Sequence, residues 1–135
     1  MMTHAPDLMG QALQFRLLHD QPCGQHNPHN AGLAIHLIAE EYDELWQAHG
    51  DSLGNPEDRN LSAECLKELA DLVYVCFQYA AASGWELDEA LDRVHKSNLS
   101  KLVDGKPLKN EVGKVLKGPN YEPPYLEDLV WKTKA

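Results

Sequence analysis

The chain has 135 residues, 43 % of them hydrophobic and 24 % charged, which suits one globular domain with a real core. Its net charge of −9 disfavours a nucleic-acid polymer as partner, because the acidic part would repel a polyanion. No secretory signal opens the chain, no apolar run is long enough to span a membrane, and three cysteines without C-x-x-C suggest no disulfide framework, so a cytoplasmic protein is expected.

Residues 11–20 (Q-A-L-Q-F-R-L-L-H-D) predict a short amphipathic helix carrying Leu13, Phe15, Leu17 and Leu18. Pro22, Gly24, Pro28 and two asparagines make 21–30 a loop. A second helix is expected from Asn30, as N-cap, to His49, with Gly50 as its stop, and 50–60 reads as another loop around Gly54 and Pro56. The third and longest helix is expected over 61–83, capped by Asn60 or Ser62 and ended by Gly84. A fourth spans 86–102, with Glu86, Asp88 and Glu89 in its first turn at the positive end of the helix dipole. From Val103 the periodicity fails and turn formers recur, so the tail 103–135 is expected to be mostly irregular. No strand pattern appears. The fold class is therefore all-α, a small four-helix bundle over 1–135, with a helical body at 11–102 and a tail behind it.

Charge is divided unevenly along this body. Up to Asp92 there are three Lys/Arg against sixteen Asp/Glu; from Arg93 onward there are nine against five. An acidic body and a basic tail suit different tasks. Two acidic patterns stand out in the body: E-x-x-E at Glu41 and Glu44, and E-x-x-D at Glu68 and Asp71. Residues three apart on a helix project about 60° apart, so each helix offers a pair of carboxylates on one side. Helical spacing sets Glu41 on the flank of an apolar face made by Ala31, Ala34, Ile38, Tyr42 and Leu45. It sets Glu68 inside the stripe of Leu61, Cys65, Leu69, Leu72, Cys76 and Tyr79. Cys65 and Cys76 read as small buried hydrophobes, and Trp46 and Tyr79 as core. Arg16, Arg59 and Lys67 are too few to neutralise these acids. Divalent cations resolve the conflict, and an all-oxygen set suits Mg²⁺ or Mn²⁺, which commonly serve phosphates. A di-iron site lacks its Glu-x-x-His pairs (Asp92-x-x-His95 comes nearest), no EF-hand loop is present, and His19, Cys23, His26 and His29 have no zinc spacing.

E-x-x-E followed after 23 residues by E-x-x-D resembles the signature of the all-α nucleoside triphosphate pyrophosphohydrolases. The stretch from Val94 to Leu102, the Asp104-Gly105-Lys106 turn and the run from Gly113 to Tyr121 with Pro123-Pro124 are similar to the small MazG-like members, found in bacteriophages and bacteria. The resemblance implies hydrolysis of a nucleoside or deoxynucleoside triphosphate between the α and β phosphates, yielding the monophosphate and pyrophosphate. It implies two or more Mg²⁺ ions (Mn²⁺ as alternative) held by Glu41, Glu44, Glu68 and Asp71, and a water activated by them as nucleophile. Glu40 becomes the candidate general base, its alternative being an exposed helix residue. Asn98 would orient substrate or a ligand; Lys101, Lys114 and Lys117 would contact phosphate oxygens; Tyr121 would close over the nucleotide. Phe15, His19 and the loop to His29 would line the base pocket. Four modest helices with widely spread apolar residues suggest a homodimer or homotetramer, as the superfamily forms. Phosphoribosyl-ATP is the second candidate substrate, and a catalytically silent nucleotide-binding helical dimer is the competing reading.

Overall fold

The computed structural model describes residues 5–130. It is all-helical, and no β-strand occurs among the described residues. Four helices follow in order: α1 (Leu8–Leu18), α2 (Pro28–Gly54), α3 (Arg59–Ser83) and α4 (Leu87–Leu99), with a single 3-10 turn at Glu127–Leu129. They divide into two compact units, one of residues up to Trp85 and one of Glu86–Val130.

The first unit is built on the pairing of α2 with α3, joined by a connection of only four residues and therefore antiparallel. Both helices are longer than the sequence suggests. α2 begins at Pro28, not Asn30, because Asn27 is the cap: its side chain accepts from the Asn30 amide at 2.9 Å, and Pro28 fills the first turn, where no amide is needed. It also runs through Gly50 to Gly54. A glycine inside a helix costs about 1 kcal/mol, and packing outweighs that here. Ala48 is 8 % exposed, and Ser52 Oγ reaches Ser62 Oγ on α3 at 3.3 Å. α3 is capped by Asp58, which takes the amides of Asn60 and Leu61, and not by Asn60 or Ser62. Gly84 ends it as expected. With φ at 79°, it lets the Trp85 amide bond back to the Ala80 carbonyl at 2.9 Å. α1 packs on α3, and the 21–27 segment is tied to the end of α3 by the Gly24 amide on Ala81 O (3.0 Å) and the Gln25 amide on Ala82 O (2.6 Å).

The buried apolar set is small-sided: Ala12, Ala34, Ala48 and Ala80–Ala82 around Phe77. Many larger apolar side chains remain exposed. Trp46, expected in the core, is 64 % exposed and stacks only with His49 at 5.7 Å. Tyr42 and Leu69, placed on inner stripes by the sequence, are exposed as well.

In the second unit, α4 stops at Leu99, three residues short of its expected end. The Ser100 hydroxyl bonds the Ser97 carbonyl at 2.6 Å, and the next amides close tight turns. The segment that follows is irregular yet pinned. Asp104 and Gly105, both at positive φ, turn the chain so that Val103 and Lys106 pair, and the Asn110 side chain accepts the amides of Val112 and Lys114. Ser97 Oγ donates to Glu122 O at 2.7 Å. Arg93 grips Asp128 through both terminal nitrogens (2.6 and 3.0 Å) and holds its carboxyl below the usual aspartate value. Residues 131–135 of the expected tail lie outside the described residues.

Candidate active site

On α2 a buried or half-buried stripe runs through Ala31, Ala34, Ile38, Glu41, Leu45 and Ala48, alternately three and four residues apart. On α3 the facing stripe runs through Leu61, Cys65, Glu68, Leu72, Val75 and Tyr79, all buried or half-buried, before the fully buried end at Ala80–Ser83. Glu41 and Glu68 thus occupy inner-face positions that the pattern would give to apolar side chains. Glu68 is only 7 % exposed. Glu44, one turn from Glu41 and exposed, joins them: one carboxylate oxygen from each of Glu41, Glu44 and Glu68 lies within 4.8 Å of the others.

Ionised carboxylates only accept hydrogen bonds, so this trio cannot satisfy itself. Oε2 of Glu41 and Oε2 of Glu68 are both buried without a hydrogen-bond partner. The Glu44 carboxyl is pushed above its ordinary value, first by hydrogen bonding to Glu68, then by hydrogen bonding to Glu41 and that neighbour's negative charge. Either a proton or a cation belongs among these oxygens. Three carboxylates from two helices, two of which carry a buried oxygen without a hydrogen-bond partner, fit a divalent cation.

Asp71 is not in the trio. Its Oδ2 pairs with Lys67 Nζ at 3.0 Å, and the same nitrogen reaches Glu68 Oε1 at 3.1 Å. These two acids, Asp71 foremost, hold the Lys67 ammonium above the usual lysine range. Lys67, one of the three basic residues the sequence offers as partners, thus links the fourth expected carboxylate to the cluster and neutralises part of it. The ammonium side chain is more than half exposed, so the pairs contribute little to stability.

Glu40 is exposed, its Oε1 3.2 Å from His36 Nε2, and outside the trio. Phe15 lies against His19 with the rings tilted (4.2 Å between centroids) and meets Tyr74 edge-on (5.7 Å). Asn98, Lys101, Lys114, Lys117 and Tyr121 all belong to the second unit. There Asn98 is exposed, Lys101 follows it half-buried, Lys114 is exposed, and Lys117 Nζ sits 4.8 Å from the centre of the Tyr121 ring.

Two hollows flank the trio along the α2–α3 seam. Toward the connecting turn, one of about 260 Å³ is lined by further acids, Asp51 and Glu64, with Glu44 and Glu68. In the other direction a cavity of about 330 Å³ opens between α1, the segment after it, α2 and α3. Arg16 and Gln78 line it, and neither was singled out for a site from sequence. The signal was nevertheless present: Gln78 is the one polar residue interrupting the apolar run of α3, and it is 7 % exposed.

No curated protein matches the chain. A family model described as phosphoribosyl-ATP pyrophosphohydrolase matches residues 11–98, more than half of the sequence, a span that holds every one of these acids.

Proposed function

The chain belongs to the phosphoribosyl-ATP pyrophosphohydrolase family, within the MazG-like all-helical superfamily, and from that premise we propose that it hydrolyses a nucleoside or deoxynucleoside triphosphate between the α and β phosphates. Nucleotide pyrophosphohydrolase activity comes with the family. The proposal adds the substrate, the metal and the residues. The observation that carries it is the pair of buried, unpartnered oxygens on Glu41 and Glu68 beside Glu44.

Glu41, Glu44 and Glu68 would hold Mg²⁺ or Mn²⁺, with Asp71 joining once Lys67 releases it. Two or more such ions held there would supply charge neutralisation for the polyphosphate and a lowered pKa for the attacking water. α2 and α3 hold the donors rigidly, and the apolar stripe on either side excludes bulk water from the buried oxygens. Glu40, one residue from Glu41, is the proposed general base and takes the proton of the attacking water. One water is consumed, the α–β anhydride breaks, and monophosphate and pyrophosphate leave. Asn98, Lys101, Lys114, Lys117 and Tyr121 are the proposed contacts of the basic segment with substrate, and Phe15 that of α1. A homodimer or homotetramer is the proposed assembly. No helix among the described residues is long and apolar enough to cross a membrane, and the proposed location is the cytoplasm.

The family description favours a second substrate, phosphoribosyl-ATP. Product analysis tests both. With Mg²⁺ or Mn²⁺, the common NTPs, dNTPs and phosphoribosyl-ATP are each incubated with protein, and products are identified. Monophosphate with pyrophosphate, lost on chelation and reduced by at least about 100-fold in Glu41→Gln, is expected. Orthophosphate release, or no turnover on any substrate, would overturn the reading, the latter in favour of a silent binding dimer.

A further inference from the structure

We infer that the cavity between α1, α2 and α3 selects the base of the substrate, and that Arg16, set by Gln78, makes that base a 6-oxopurine. This rests on the proposed hydrolysis of a nucleotide at the acidic trio. The cavity shares the inner stripes of the trio. Ala34 and Val75, in its wall, each lie seven residues from Glu41 and Glu68, or about 10 Å along the helix axes. A nucleotide whose phosphates sit at the carboxylates would extend its base along the seam into this space. Leu33, Leu37 and Val75 offer apolar faces for a ring, and about 330 Å³ is ample for a purine.

The polar groups of the cavity are asymmetric. Arg16 Nε donates to Pro22 O at 2.7 Å, and Nη1 donates to Gln78 Oε1 at 3.2 Å. Gln78 Nε2 faces the Ala12 carbonyl at 3.5 Å, so its amide orientation is set from both ends: oxygen to the guanidinium, nitrogen to a carbonyl. A guanidinium has five N–H donors, and these two bonds use two of them. Arg16 therefore brings further N–H donors to this end of the cavity, beside the polar side chains of Gln21, His29 and Asn30. A planar guanidinium fork matches the adjacent O6 and N7 acceptors of guanine or hypoxanthine. Adenine turns an amino donor toward the same fork, leaving donor against donor.

Gln78 is thus a positioning residue and Arg16 the selecting one. The test compares kcat/KM for GTP, ITP, ATP and UTP, and calorimetric binding of GMP and AMP to the wild-type protein in chelator. GTP and ITP are expected to exceed ATP by at least about ten-fold, and GMP to bind more tightly than AMP by a similar factor. Arg16→Lys, which keeps the charge but loses the fork, should bring the GTP/ATP ratio to within about three-fold. Gln78→Glu should draw the guanidinium into a carboxylate pair and lower the ratio too. Circular dichroism checks the fold of each variant, and monophosphate binding by wild type decides the matter even if neither folds. Equal or better use of ATP or UTP, or a preference unchanged in Arg16→Lys, overturns the inference while leaving the hydrolytic reading intact. No turnover of any triphosphate removes that reading, and GMP against AMP still tests the cavity.

Discussion

Glu41 and Glu68 sit where an apolar side chain would pack, and the protein carries the electrostatic cost of that choice. A buried carboxylate without a partner destabilises the fold, whereas an amide in its place can donate to the neighbouring carboxylates. Glu41→Gln should therefore raise the melting temperature of the metal-free protein, by about 4 °C if one net hydrogen bond of about 1 kcal/mol is gained. The same change should remove the further rise that Mg²⁺ or Mn²⁺ gives the wild type. Differential scanning fluorimetry with chelator and with added metal reads both. A metal-free melting temperature that falls, with the metal response kept, would mean that Glu41 is structural. Both acids were visible in the sequence as E-x-x-E and E-x-x-D, because a three-residue spacing fixes a common side of a helix. Lys67 was visible only as one of three basic residues in the body; which acids it pairs with depends on where the Glu68 and Asp71 side chains lie.

Helix ends are governed by a few residues, and two glycines show opposite uses. Gly50 lies inside α2, and a Cβ added there meets nothing within 4 Å. Gly84 ends α3 at a φ of 79°, where an L side chain is strained. Gly50→Ala should stabilise the protein by about 0.5–1 kcal/mol, and Gly84→Ala should destabilise it by about 1 kcal/mol or more. Chemical denaturation of the two variants checks the signs, and the same sign for both would refute this account. Sequence placed all four helices in order and located the Gly84 stop. It ended α2 too early at Gly50, since a glycine reads as a breaker locally while the packing of Ala48 and the Ser52–Ser62 contact are remote from it in sequence. The caps at Asn27 and Asp58 were displaced by a similar margin, because several cap-forming residues stand side by side before each helix.

For the whole molecule, the telling property is apolar surface left outside. On α2, Ile35, Tyr42, Trp46 and Leu53 fall along one side at helical spacing, and each is more than half exposed. A stripe of this kind is a place where proteins associate. It underlies the proposed homodimer or homotetramer. Sedimentation should give a dimer or larger species for the wild type. Trp46→Glu combined with Tyr42→Lys should shift it toward monomer, with helix content retained. A wild-type monomer at micromolar concentration would refute the assembly.

Sequence alone determined the all-helical class, the helix order and the paired acids, since these follow from periodicity, stop residues and spacing within one element. Tertiary structure decided which acids meet. Glu41, Glu44 and Glu68 converge because facing stripes of α2 and α3 lie in register, whereas Asp71 turns to Lys67. It also decided that Trp46 faces outward and that Arg16 and Gln78, 62 residues apart, share a cavity. Contacts between distant segments depend on which faces pack together, and local pattern does not encode that pairing.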